Sequence, residues 1–181
     1  MTRSVHVRTC TANDLAAVAL LIRRSYETTM AASYTPALFE RALPMLVRVK
    51  PDLVTSGRFY VAADESGSIV ACGGWSGPAP QQETQAEIDT GHLRHFATNP
   101  DRMRKGFGRA VLTRSVADAV SAGVTRLHCD ASRGAVPFYR AFGFAPLGER
   151  TIRISPDLDL AVVKMILTIS PARQEKRDDL D

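Results

Sequence analysis

Residues 92–110 read HLRHFATNPDRMRKGFGRA, and their chemistry is that of an anion site. Arg102, Arg104 and Lys105 cluster just ahead of Gly106-Phe107-Gly108, and a helical pattern follows at once. Glycine reaches positive φ without strain and leaves room for a ligand against the backbone. The first N–H groups of a helix lack intrahelical partners and carry partial positive charge, so a phosphate can fill them. Nearby cations deepen that field. Upstream, Leu93, Phe96 and Ala97 form a β-like segment, and Pro100 turns the chain. Strand, basic glycine loop and helix N-terminus together predict a phosphate cradle.

Other chemistries fit less well. Gly106-x-Gly108 with Asp130 further on imitates a dinucleotide fingerprint, but the third glycine position is Val111. The stretch from Thr98 to Gly106 is also too long for the tight turn that fingerprint needs. His92 and His95 stand three apart on a strand, which predicts opposite faces and no shared metal site. His6 and His128 have no partner spacing, and no metal is expected. Cys10, Cys72 and Cys129 are odd in number, far apart and set in apolar patterns, which predicts reduced thiols.

Positioning elements follow from periodicity. Ser4 to Thr9 alternates as a strand, and Thr11-x-x-Asp14 is a capping-box start for a helix reaching about Arg24. Tyr34 to Val54 is helical but interrupted by Pro36, Pro44 and Pro51, which predicts two short helices. Arg58–Asp64 and Ser68–Trp75 form a hairpin around Glu65-Ser66-Gly67. A polar loop over Gly77–Gln85 leads to a fourth strand, Glu87–Thr98. The helix after Gly108 ends at Gly123, a natural stop. Thr125–Asp130 is a strand, and Pro137–Phe142 is a helix stopped by Gly143. Two strands lie around Ala145–Ile154 and Leu160–Ile169. The order β-α-α-β-β-β-α-β-α-β-β describes a mixed α/β fold with helices on both sheet faces.

A chain of 181 residues, 45% apolar and 23% charged, is expected to form one domain over 1–170 with a charged, frayed tail at 171–181. No apolar run approaches the ~20 residues of a membrane span, and no signal-peptide core is visible, so a cytoplasmic location is expected. The net charge of +4 suits an anionic ligand, and the absence of an aromatic-interleaved basic stripe argues against nucleic acid.

Two blocks carry a family resemblance. FATNPDRMRKGFGRAVL is similar to the acetyl-CoA pyrophosphate loop of the GCN5-related N-acetyltransferases. Ala135-Val136-Pro137-Phe138-Tyr139-Arg140-Ala141-Phe142-Gly143-Phe144 resembles that family's A-x-x-F-Y-x-x-x-G-F signature. The resemblance implies a mostly antiparallel sheet of about seven strands with about four helices, a homodimer, and direct acetyl transfer from acetyl-CoA to a primary amine. It places the pyrophosphate on Met103, Arg104, Lys105, Gly106, Phe107, Gly108 and Arg109, with Phe138 also against the cofactor. Met103 stands where the family usually has Gln or Arg, and Ser132 stands where many members have a pantetheine-binding Asn. Backbone N–H groups over Phe96, Ala97 and Thr98 correspond to those that polarise the thioester. Tyr139 matches the tyrosine that protonates the leaving thiolate. His92 falls where some members place a catalytic Glu; Asp89, Glu87 and a water chain are rivals as base. Alternation puts His92 on one face with Arg94, Phe96 and Thr98.

The acceptor is not legible beyond a lean to a small-molecule amine, and Trp75 and Tyr26 are read as packing residues first. The alternative that keeps the fold is a non-catalytic acyl-CoA sensor.

Overall fold

Strands β1 (His6–Thr9), β2 (Phe59–Ala63), β3 (Ile69–Ser76), β4 (Thr90–Thr98), β5 (Arg126–Ala131), β6 (Ala145–Ser155) and β7 (Leu158–Thr168) form the sheet. Helices α1 (Leu15–Thr29), α2 (Pro36–Leu46), α3 (Pro51–Val54), α4 (Phe107–Ser121) and α5 (Val136–Phe142) cover it. The structure, a computed structural model, describes residues 5–77 and 89–169. The tail 171–181, Glu87 and most of the Gly77–Gln85 loop lie outside them.

The strand order is β1-β2-β3-β4-β5-β7-β6. Every neighbouring pair is antiparallel except β4 with β5. One parallel pairing cannot make the doubly wound parallel sheet that a dinucleotide site needs, so that reading falls.

The central strands are apolar throughout because both their faces are covered. In β2, Phe59 and Val61 pack with Val18, Leu21 and Ile22 of α1, while Tyr60 and Ala62 pack with Val111 and Leu112 of α4. In β7, Leu158, Leu160 and Val162 meet Ala42 of α2, whereas Met165 joins the α4–α5 side. Thus α1 and α2 share one face, and α4 and α5 the other.

Local signals explain most boundaries. The Thr11 N–H and hydroxyl both donate to the Asp14 carboxylate at 2.9 Å, and Arg8 grips the same carboxylate at 2.7 and 2.9 Å. That pairing holds Asp14 well below the usual carboxylate range. Gly143 ends α5 at φ 116°. Two expectations shift. α1 runs past Arg24 to Thr29, because the buried stripe Val18–Ile22–Ser25 continues one more turn. Pro44 does not break α2; it sits near the C-terminal end, and Val47 N–H still reaches Leu43 C=O at 3.0 Å. Pro51 instead starts α3, so Tyr34–Val54 holds the two short helices expected, divided at Pro51 rather than at Pro44.

Gly74 is where β3 crosses closest to β2. A Cβ there would lie 2.3 Å from the Arg58 carbonyl oxygen and 2.8 Å from Phe59 Cα, both backbone atoms that cannot swing aside. Gly74→Ala is therefore expected to cost about 2 kcal/mol or more, a drop of roughly 4–8 °C in Tm by calorimetry. Gly77→Ala, which meets only Arg58 Nη1 at 3.9 Å, should leave Tm within about 1–2 °C of the parent.

Candidate active site

The site forms where two strands part. β4 and β5 pair only from Thr90–Arg126 to His92–His128. β4 then continues to Thr98, while β5 ends at Ala131 and leads into α5. Backbone and side chains beyond His92 consequently face a cleft rather than a neighbouring strand, as at the switch points where α/β sheets bind ligands.

A β-bulge sharpens this opening. Cys72 pairs with Ala97 and Gly74 with Arg94, so two steps along β3 match three along β4. The extra residue sits at His95, whose φ is 51°. Leu93 packs on the α4 side but Ala97 on the α1 side, although four residues apart on a regular strand would share a face. The expected common face of His92, Arg94, Phe96 and Thr98 is therefore broken. The expected separation of His92 from His95 is lost as well, since both line one cavity.

Ladder alternation also sorts the amides of this stretch. Asn99 N–H donates to Val70 C=O at 2.8 Å, so Thr98 N–H points the other way, to Ser25 Oγ at 3.3 Å. By the same alternation Ala97 belongs to the β3 side, and Phe96 N–H is directed at the cleft.

On one side of the cleft lies a cavity of about 480 Å³ built by the glycine loop. Asn99 caps a short turn by accepting from Asp101 N–H at 3.0 Å. Arg104 (φ 60°) and Gly106 (φ 86°) then reverse the backbone into α4. The first α4 bond runs from Ala110 N–H to Gly106 C=O, which leaves the amides before it outside the helical ladder. Gly108 is needed for close approach: a Cβ would stand 2.7 Å from Thr98 Oγ1. Met103, Arg104, Gly106, Phe107, Gly108, Arg109, Phe138 and the Phe96–Thr98 stretch all face this cavity. Lys105 does not; it lines a neighbouring hollow with Arg102, which pairs with Asp64 at 3.3 Å. The Arg109 guanidinium lies over Phe142, so only its main chain serves the loop.

On the other side is an inner cavity of about 260 Å³. His92 and His128 stack there with ring centroids 5.7 Å apart, and Asp130 and Ser132 complete its β5 wall. Burial, then the neighbouring charge of Arg94 and the His128 ring, holds the His92 pKa below its ordinary value. Burial pushes His95 down to about 4. Arg150 holds Asp130 from outside, its Nε at 2.8 Å. Tyr26, an expected packing residue, is also part of this wall, whereas the Trp75 indole donates to Asp118 at 2.8 Å.

Thr29, Phe96, Ala135 and Tyr139 line both cavities. Tyr139 stands edge-on to Phe96, Phe138 and Phe144, and burial holds its hydroxyl well above the ordinary tyrosine range. Cys129 is buried beside it with its thiol pushed up to about 12, an inert packing group.

Ser132, expected against the cofactor, lines the inner cavity. Asp89 is engaged elsewhere, bonded to the Thr125 hydroxyl and to Arg126 at 2.7 Å, where it anchors the start of β5. His128 and Asp130 went unrecognised because sequence spacing cannot reveal a parallel strand register. Once β4 and β5 are aligned, His128 falls opposite His92.

Comparison with solved structures gives the fold its relatives. A GCN5-related N-acetyltransferase from Rhodopseudomonas palustris superposes with TM-score 0.75 at 20% identity, covering 93% of this chain and 98% of that one. A phosphinothricin acetyltransferase from Sinorhizobium meliloti, solved with acetyl-CoA, gives 0.66 at 20% identity over 99% and 98%. The PaiA N-acetyltransferase of Thermoplasma acidophilum, solved with coenzyme A, gives 0.64 at 15% identity over 91% and 99%. No curated protein sequence matches. A model of the acetyltransferase (GNAT) family matches residues 17–144, most of the chain and both blocks of the cleft, so the chain belongs to the GNAT acetyltransferase family.

Proposed function

We propose that this protein is an acetyl-CoA-dependent N-acetyltransferase that moves an acetyl group directly to a primary amine of a small molecule. The observation that carries the reading is the meeting of two cavities at Thr29, Phe96, Ala135 and Tyr139. One is walled by main chain suited to a pyrophosphate, the other by titratable side chains suited to an amine.

Acetyl-CoA fits the residues present. Two positive-φ residues shape a loop of amides ahead of α4, and Gly108 leaves the space a Cβ would fill. Met103, Arg104 and Gly106 through Arg109 would hold the pyrophosphate chiefly through main-chain N–H groups, and Phe138 would flank the pantetheine arm. When bound, acetyl-CoA supplies an activated acetyl thioester.

Each protein group then has one task. An alkylammonium, with pKa near ~10, has no lone pair at neutral pH, so a base must take its proton. His92, held below its ordinary pKa, is neutral at physiological pH and can accept it. Phe96 N–H donates to the carbonyl oxygen as negative charge develops there. Tyr139, kept protonated by burial, gives its proton to the departing sulfur.

Thermal-shift titration with acetyl-CoA tests the cofactor. Saturation near 100 times Kd should stabilise the fold by about 2.7 kcal/mol, a shift of roughly 5–10 °C. No shift would remove the reading. For the base, kcat/KM should fall as pH drops through the His92 pKa, below 6.5, because protonation removes the acceptor lone pair. His92→Ala should lower kcat about 100-fold and abolish that acidic limb. Retention of both the rate and the limb would assign the proton to another group. Tyr139→Phe keeps the ring packing and should lower kcat by roughly tenfold or more, with the acetyl-CoA shift intact.

A further inference from the structure

Arg94 and His95 line not only the inner cavity but also a second hollow of about 670 Å³ beside it. Arg48, Lys50 and Asp52, around the start of α3, form one wall, and Arg58 at the head of β2 forms another. Among the described residues, four permanent cations thus face a single carboxylate. His95, held neutral by burial at about 4, adds no opposing charge.

The pairing pattern sets this hollow apart. Nine arginines elsewhere sit in ion pairs with Asp or Glu. Among the described residues, no carboxylate lies within ion-pair distance of Arg48, Lys50, Arg58 or Arg94. Two of these guanidinium groups are nevertheless held in place by neutral partners. Arg58 lies over the Trp75 ring, 4.4 Å from its centroid. Arg94 donates from Nε to Ser76 Oγ at 3.0 Å, and its side chain lines both the inner cavity and the hollow. A fixed guanidinium fork with no internal anion is matched to carboxylate or phosphate oxygens. Burial also pulls the Arg94 pKa down, with Asp130 opposing it, a cost that an incoming anion would offset.

Charge is therefore ordered along the acceptor side. Asp130 on β5 and the neutral His92 on β4 line the inner cavity, a setting favourable to an amine. Arg94 marks the passage to the basic hollow. The glycine-loop cavity, which shares neither Arg48, Lys50 nor Arg94, serves the opposite side of the cleft.

Resting on the acetyltransferase reading above, we propose that the basic hollow receives an anionic group of the acceptor. The acceptor class is then small amines that carry a carboxylate or phosphate remote from the reacting nitrogen.

The test uses matched amines with the acetyl-CoA-saturated protein, following CoA release. The pairs are O-phosphoethanolamine against ethanolamine, and glutamate against glutamine. The charged member should exceed its neutral partner at least tenfold in kcat/KM, and the pair that shows it distinguishes phosphate from carboxylate. In the double variant Arg48→Gln/Lys50→Gln, and separately in Arg94→Gln, that preference should shrink at least tenfold through KM. Equal use of both members, or a preference untouched by the variants, overturns the proposal. If none of the four amines turns over, the CoA-loaded protein is titrated thermally with O-phosphoethanolamine and inorganic phosphate, the cradle already being filled. A shift lost in the double variant supports the hollow as the anion site, and no shift overturns it. A protein that gives no shift with CoA itself fails the acetyltransferase reading, whereas one that binds CoA and ignores charge fails the acceptor assignment alone.

Discussion

The short parallel pairing of β4 and β5 is the constraint on which the rest of the molecule depends. Pairing ends at His92–His128, and the two strands then diverge. Had it continued, the Phe96 amide would meet a β5 carbonyl, and the space between the cavities would be closed by a ladder. The bulge at His95 works on the same opening. By adding one residue to β4, it turns Phe96 and Thr98 toward α4 and α5 while His92 and Arg94 keep the α1 face. One strand thereby serves both sides of the cleft. Gly73 permits this turn: a Cβ on it would press within 2.7 Å of the Phe96 ring, which lies over β3 at that point.

Electrostatics reinforce the geometry by removing carboxylates from the reacting zone. Asp14 is gripped by Arg8, Asp89 by Arg126, and Asp64 by Arg102. Among the described residues, Asp130 alone both lines the inner cavity and is held by an arginine outside it. Histidines there are kept neutral by burial and by neighbouring cations. The zone between the cavities is consequently poor in permanent negative charge, which would oppose charge developing on a carbonyl oxygen or a departing sulfur.

Legibility in the sequence divided along physical lines. The glycine loop was readable because Gly106 and Gly108 answer local demands, a positive φ and a close approach, that few other residues meet. Helix α4 and its stop at Gly123, the hairpin at Gly67, and the Phe138-Tyr139 block were readable for the same reason. The bulge was not, since His95 is neither glycine nor asparagine and alternation simply ran through it. The partnership of His92 with His128, and the gathering of Arg48, Lys50, Arg58 and Arg94 around one hollow, depend on strand register and on how the start of α3 packs. Neither leaves a mark at fixed spacing. Pro44 misled for a different reason: a proline removes a single ladder bond, here its own to the Glu40 carbonyl, and α2 carries on past that loss for less than one turn before it ends.

This division follows from how each half of the cleft is built. The loop cavity is bounded at α4 by a turn of main chain, whose hydrogen-bonding groups are the same whatever the side chain, so substitution in that turn is limited by shape. The inner cavity and the basic hollow are walled by side chains brought from α1, the α2–α3 junction, β4 and β5. Their character can change residue by residue without disturbing the bulge, the splay or the glycine turn. A fold with that separation can keep one chemistry fixed, the one proposed above for Phe96 and Tyr139, while the adjoining surface is free to set which molecule is presented to it. At 20% identity and TM-score 0.75, the likeness to the Rhodopseudomonas palustris structure has that form: the backbone architecture is held while most side chains differ. On the reading proposed above, acceptor choice belongs where this chain's own side chains depart from simple packing, and the cations beside Arg94, which have no carboxylate partner among the described residues, are such a departure.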